Sequence, residues 1–249
     1  MKRRINRRDL WRMFLRSFLV QGSWNYKSML GLGFCFCALP VLRKVCKTQQ
    51  ERQAFIRRHL DFFNAHPYFA SWCLGAVAKL EEEAVRKKWP DYRPISVFKE
   101  RLAGPLGAIG DELFWNGIKP AVAGLAVWIA IVFGWIAVVV FLLVYNIPHL
   151  YIRWKGIFAG YQAGFDIVSA LSVRRFQDSL TRIAISGAVI SGLCTAAGLT
   201  WTASKNLLYV PIFIMSAVLA VVLLKFKRSI NFILIVAAIF SLGLSVILL

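Results

Sequence analysis

The stretch Ala121-Val-Ala-Gly-Leu-Ala-Val-Trp-Ile-Ala-Ile-Val-Phe-Gly-Trp-Ile-Ala-Val-Val-Val-Phe-Leu-Leu-Val144 decides the fold. It holds 24 residues without a charged side chain, and the uncharged run continues through Asn146 and Pro148 to Ile152. A helix needs roughly 20 apolar residues to cross about 30 Å of hydrocarbon. Lipid offers backbone groups no partner outside their own segment, so helices are the expected form. Ile183–Ser204, Asn206–Leu224 and Ile230–Leu249 are three further runs of this kind. The chain is 58% hydrophobic and 17% charged, against about 45–50% and about 25% in a soluble domain. The expected class is all-α, a polytopic integral membrane helical bundle.

Upstream of that run the character changes, so the chain divides into residues 1–118 and 119–249. Arg4, Arg8, Arg12 and Arg16 recur at every fourth position, with Leu10, Trp11, Phe14, Leu15, Phe18 and Leu19 largely opposite. This pattern predicts an amphipathic helix lying in the interface of an anionic leaflet; packing on the protein's own body is the alternative. Three short apolar pieces follow: Ser28–Leu42, Phe62–Ala78 and Leu102–Gly110, each carrying Gly and Pro. Short, Gly/Pro-interrupted segments point to re-entrant structure and a binding site in transporters. Leu80 to Lys88 reads as a solvated helix, with Glu82–Arg86 and Glu83–Lys87 at i,i+4.

The net charge is +19, of which +12 lies in the first 119 residues. In so apolar a chain, basic residues anchor cytoplasmic loops and anionic headgroups, and nucleic-acid binding is not expected. Residues 1–27 hold eight basic side chains and one acid, with no secretory signal pattern. Positive-inside reasoning puts the N-terminus and the basic residues around Arg153–Arg182 and Lys225–Arg228 in the cytoplasm, with Leu249 outside. One crossing from Ala121 breaks this parity. Either a hidden crossing lies earlier, in Ser28–Leu42 or Phe62–Ala78, or the run from Ala121 doubles back.

No P-loop, GxSxG or HExxH is present. The five cysteines form no CxxC pair, and His59, His66 and His149 lack metal-ligand partners at helical spacing. No cofactor or metal is expected. Intramembrane polar residues are costly and mark pathways or helix interfaces. Asn64 and His66 flank Pro67 in an apolar segment, and Asp111 follows Gly104-Pro-Leu-Gly-Ala-Ile-Gly110 and precedes Phe114-Trp115. A carboxylate beside an aromatic suits a sugar, accepting from hydroxyls while the ring's C–H face lies on the indole. Alternatively, Asp111 caps a helix through Ile118. Asn146, His149 and Arg153 read as interfacial anchors.

Gln21-Gly-Ser-Trp-Asn-Tyr-Lys-Ser-Met-Leu-Gly-Leu-Gly-Phe-Cys-Phe with Pro40-Val-Leu, and Arg58-His-Leu-Asp-Phe-Phe-Asn-Ala-His-Pro67 with Gly75-Ala-Val-Ala-Lys-Leu-Glu-Glu82, are two blocks of one pattern. Gly104–Asp111 with Phe114-Trp115 is a third, and Tyr145-Asn-Ile-Pro-His-Leu150 with Arg153, Gly156, Gly160 and Gly164 a fourth. In this order they resemble the IID subunits of the mannose/fructose/sorbose family of bacterial phosphotransferase sugar permeases. Ala65 stands where a Thr is common, and Glu112 where a small hydroxyl residue is usual. The resemblance implies a multi-pass protein of the bacterial inner membrane that pairs with a IIC membrane subunit to bind and translocate a hexose. It implies cytoplasmic IIA and IIB partners that carry phosphate from phosphoenolpyruvate on their own histidines, and a higher-order oligomer of IIC–IID pairs. By the same resemblance Asn64, His66, Asp111 and Trp115 are the substrate-binding candidates. Two rival expectations are a structural subunit that stabilises IIC without touching sugar, and a stand-alone intramembrane enzyme acting on lipid, for which no nucleophile–base pair is found.

Overall fold

The computed structural model describes residues 4–167 and 209–225 continuously, and scattered residues between 169 and 207 and between 236 and 243. The described chain is helical throughout its regular parts. Helix α1 spans Arg7–Ser17 and begins at Asn6, whose side chain accepts from the Asp9 N–H while the Asp9 carboxylate accepts from the Asn6 N–H. Arg4 therefore precedes the helix, and only Arg8, Arg12 and Arg16 share its basic face. The helix has three faces rather than two. Leu10, Met13 and Ser17 are buried against the body, whereas Trp11, Leu15 and Phe18 stay exposed beside the arginines. Packing on the body and an open apolar face are both realised.

Helix α2 (Gly31–Val45) and α3 (Gln49–Leu60) follow. At 1.5 Å per residue the 15-residue α2 spans only about 22 Å, short of the hydrocarbon thickness. The Phe62–Ala78 piece splits between an irregular loop and the first half of α4 (Ala70–Lys87). Neither candidate for a hidden crossing is a membrane-long apolar helix.

Helix α5 (Arg93–Gly110), a π-helical segment (Asp111–Ile118) and α6 (Lys119–Phe133) form one unbroken helical run of 41 residues. Pro120 has no N–H for the Asn116 carbonyl, and the wider π pitch occupies the residues just before it. The run stops at Gly134, which turns the chain with φ +62. Helix α7 (Ile136–Ala163) then returns antiparallel, so that Gly117–Val122 face Val144–Pro148. The stretch Ala121–Val144 is thus not one straight helix but the tip of a hairpin. Of the other runs, Tyr209–Lys225 is helical, Ile183–Ser204 is described only in part, and most of Ile230–Leu249 lies outside the described residues.

The hairpin is tied to the rest by α4, which crosses α7 at backbone contact distance. A Cβ on Gly160 would lie 2.3 Å from the Trp72 carbonyl oxygen, and one on Gly75 2.3 Å from that of Ile157. Gly156 and Gly160 make the small-xxx-small spacing that permits such an approach. The lower half of α4 is not solvated as expected. Glu83 does pair with Lys87 at 3.1 Å, but Glu81 is 1% exposed and bound by Arg58 and His59. Glu82 turns inward to the Ile5 N–H at 3.0 Å and the Tyr161 hydroxyl at 2.5 Å.

Candidate functional site

The loop between α3 and α4 is pinned at its middle. The Phe63 carbonyl accepts from the Leu30 N–H at 2.9 Å, and the Phe63 N–H donates to the Ser28 carbonyl at 3.2 Å. This aims His66 at the junction of α5 and the π segment. There Gly110 makes room for it: a Cβ at 110 would lie 2.2 Å from His66 Cβ and Cγ. The imidazole stacks on Phe114 (5.3 Å between centroids, 13° between planes) and leans on Trp115 at 5.2 Å. Its Nδ1 accepts from the Tyr68 N–H at 3.3 Å, which leaves the proton of the neutral ring on Nε2. That Nε2 is buried and has no hydrogen-bond partner among the described residues.

Tyr68 continues the column. Its ring meets His66 edge-on at 4.8 Å and stacks on His149 at 4.5 Å, and its hydroxyl lies 3.2 Å from that of Tyr145. His149 Nε2 is 2.7 Å from Asn146 Oδ1, and Asn146 donates to the Leu142 carbonyl. The Arg153 guanidinium lies over Tyr68 at 5.0 Å and Phe18 at 5.3 Å, and donates to the Ser17 carbonyl. His149 is 8% exposed and Arg153 4%. Both are interior parts of the column rather than exposed anchors, because this part of α7 packs against α4.

Two of the four expected binding residues, His66 and Trp115, are in contact. Asn64 and Asp111 are exposed, Asn64 on the loop two residues before His66 and Asp111 directly after Gly110, four residues before Trp115. Neither side chain makes a hydrogen bond or ion pair among the described residues. Asp111 is no helix cap, since the backbone is helical on both sides of it and no free N–H groups await a cap there. Trp115 keeps 41% of its surface open, with the Lys119 ammonium 4.9 Å from its ring. Among the described residues no group of three His, Cys, Asp or Glu side chains stands close enough to hold a metal ion. Sequence reasoning missed Tyr68 and quoted Phe114 and Tyr145 only as parts of motif blocks, without a role. The i,i+4 spacing of Tyr145 and His149 was a signal that could have joined those two, whereas no spacing in the sequence sets Tyr68 or Phe114 beside them.

At the far end of α4 sits a second polar cluster. Burial opposes the charge on Glu81, but hydrogen bonds from His59 and Arg58 outweigh it and hold the carboxyl below its usual range. Burial pushes His59 below the ordinary histidine value and keeps it neutral. This cluster supports the start of the loop rather than facing any opening.

The family described as "PTS system mannose/fructose/sorbose family IID component" matches residues 4–249. The mannose-specific EIID component of Escherichia coli K12 is 36% identical over 204 residues, 81% of this chain and 70% of that one. The fructose permease IID component of Bacillus subtilis 168 is 29% identical over 77% of this chain and 70% of its own. A solved chain in a complex of the mannose transporter ManYZ with microcin E492 aligns with TM-score 0.62 at 35% identity, covering 77% of this chain and 70% of that one.

Proposed function

The chain belongs to the mannose/fructose/sorbose family of phosphotransferase-system IID components, membrane translocation subunits of sugar permeases, and on that premise we propose that the His66 loop and the π segment form its part of a hexose path. The carrying observation is the buried, unpartnered His66 Nε2 beside the open face of Trp115, with exposed Asn64 and Asp111 at the same junction. The Asp111 carboxylate accepts from sugar hydroxyls, the Asn64 amide accepts from or donates to them, and Trp115 takes the apolar face of the ring. The Lys119 contact over that indole is an exposed cation–π pair worth about 0.5–1 kcal/mol, weak enough for a sugar to displace. π segments inside α-helices recur at functional sites, which supports the assignment.

A IIC subunit completes the path, as the transporter complex of the similar solved chain suggests. Cytoplasmic IIA and IIB partners bring the phosphate on their own histidines, and IIC–IID pairs assemble into a higher-order oligomer. The N-terminus is cytoplasmic. Because Gly134 sends the chain back, the hairpin leaves and regains the cytoplasmic side without any earlier crossing, which brings Arg153 and Lys155 to the side that positive-inside reasoning requires. The later runs then carry Leu249 outside. The short α2 and the 61–69 loop are re-entrant in this topology.

The test is Asp111→Asn in the assembled complex. Hexose uptake should fall to background while IIC still co-purifies in wild-type amount. Full uptake would remove Asp111 from the path and favour the subunit that stabilises IIC without sugar contact, for which an exposed Asp111 and Asn64 would be interface residues.

A further inference from the structure

A cavity of about 570 Å³ opens between the residues before α1, the α2–α3 connection and the end of α4. Six cations line it: Arg4, Arg43, Lys44, Lys47, Arg52 and Arg86. The lone carboxylate in its wall, Glu82, has both oxygens engaged, by the Ile5 N–H and the Tyr161 hydroxyl. Lys44 is paired with Asp9 at 3.3 Å and Arg86 with Glu83 at 3.8 Å. Arg4, Arg43 and Arg52 have no ion-pair partner among the described residues. Three guanidinium groups in one concavity repel one another unless an anion joins them, and their planar forks match phosphate oxygens.

The cavity's surroundings narrow the source of that anion. Val45 and Val85 give it an apolar floor, and a neighbouring cavity of about 490 Å³ shares Arg43 and Lys44 and extends to Arg12 and Arg16. Along the same helix Trp11, Leu15 and Phe18 are 43%, 62% and 42% exposed. An apolar strip beside a basic one sets the cavity mouth at headgroup depth. We propose that this cavity is a phosphate site, occupied by the headgroup of an anionic membrane lipid. The lipid phosphate joins the segment before α1 to the α2–α3 connection and so fixes α1 on the bundle. This goes beyond the sugar path and does not depend on it.

The experiment uses the full chain in its purified membrane complex, reconstituted in phosphatidylcholine nanodiscs with and without phosphatidylglycerol. Bound phosphatidylglycerol is read by native mass spectrometry after release, and stability by thermal denaturation. The wild type should retain the lipid and melt higher in its presence. Arg43→Gln/Arg52→Gln should bind at least about tenfold more weakly, the loss of one charge-assisted contact, and melt alike in both discs. The control pair Arg57→Gln/Arg101→Gln, exposed and outside the cavity, should behave as wild type. Stabilisation of the wild type, but not of the cavity variant, by inorganic phosphate to the same extent would uphold the phosphate site and assign it a soluble ligand. Equal lipid retention in the wild type and the cavity variant, or equal loss in both variant pairs, would overturn the site in favour of diffuse attraction to the leaflet.

Discussion

Replacing Glu81 with Gln tests whether the buried cluster under the loop is a desolvated unit. Glu81 Oε1 accepts from Arg58 Nε at 2.8 Å and lies 2.9 Å from His59 Nε2, while Oε2 accepts from Arg58 Nη2 at 3.0 Å. A glutamine keeps the shape but presents an NH2 where an acceptor is needed, so at least one donor of Arg58 or His59 faces another donor. Breaking a buried pair by removing one partner costs about 3–5 kcal/mol. Here the Arg58 side chain retains 12% exposure and rests on the Tyr92 ring at 4.7 Å, so water reaches one side and the lower end applies. A loss of about 3 kcal/mol is a factor of about 150 in the folding equilibrium. At about 2–4 °C per kcal/mol for a domain of this size, Tm of the purified complex should fall by about 6–12 °C. Fluorescence-detected size exclusion after heating reads it. Arg58→Met should cost a similar amount, and the double variant little more than either, because the two share one interaction. A Glu81→Gln variant melting within about 2 °C of wild type, or single losses that simply add, would refute the reasoning.

Acid should weaken the same cluster. His59 is held neutral with its pKa below the ordinary 6.5, so the unfolded chain binds the extra proton first. Stability present above about pH 6.5 is therefore lost as pH falls toward the folded value, and Glu81, also depressed, adds a second loss below its ordinary value. Tm measured from pH 7.5 to 5 should decline from near pH 6.5, with a shallower slope in His59→Gln; a flat wild-type profile would contradict this. Gly160→Leu places carbon 2.3 Å from the Trp72 carbonyl and should cost about 3 kcal/mol or prevent assembly, whereas Gly104→Ala meets nothing within 4 Å and should leave yield and Tm unchanged or raised. Trp115→Ala should raise the KM for hexose uptake about tenfold, the loss of roughly 1.4 kcal/mol of ring contact, with Trp115→Phe intermediate. An unchanged KM in both would take the indole out of the path.

The membrane class was legible in Ala121–Val144 because a water-soluble helix of that length would need charged residues on its solvent face. The turn at Gly134 was not, since hydropathy does not register direction and glycine is common in membrane helices; only the parity of the basic residues hinted at it. The Gly104–Gly110 segment was misjudged for a related reason. Its glycines suggested a broken helix, with a cap at Asp111 as one alternative, yet the helix is continuous, and Gly110 serves as the floor under His66. On α4 the sequence did carry a usable signal. Ala70, Cys73, Leu74, Val77, Leu80, Glu81 and Ala84 follow one helical stripe, and all are buried. Charge spacing drew attention to the triplet as a solvated face, when periodicity already put Glu81 inside. His66 and Trp115 were singled out through their motif blocks, but Tyr68 and Arg153 come into contact with each other only through the return of α7 against α4.

The two buried cations near the loop explain why its position can be so well defined in a chain with 31 basic and 12 acidic residues. Neither Lys99 nor Arg153 has an ion-pair partner among the described residues, and helix C-termini supply the negative ends instead. Lys99 Nζ donates to the carbonyls of His59 and Asp61 at 3.1 Å each, closing the end of α3, with the Phe34 ring 4.9 Å away. Arg153 does the same for α1 at Ser17. Each joins an element of the first 118 residues to the long helical hairpin, Lys99 from α5 and Arg153 from α7. The loop is therefore held at Asp61 by one cation and at Tyr68 by the aromatic seat of the other, with His66 between them. Lys99 and Arg153 thus hold the loop that sets His66 against Trp115.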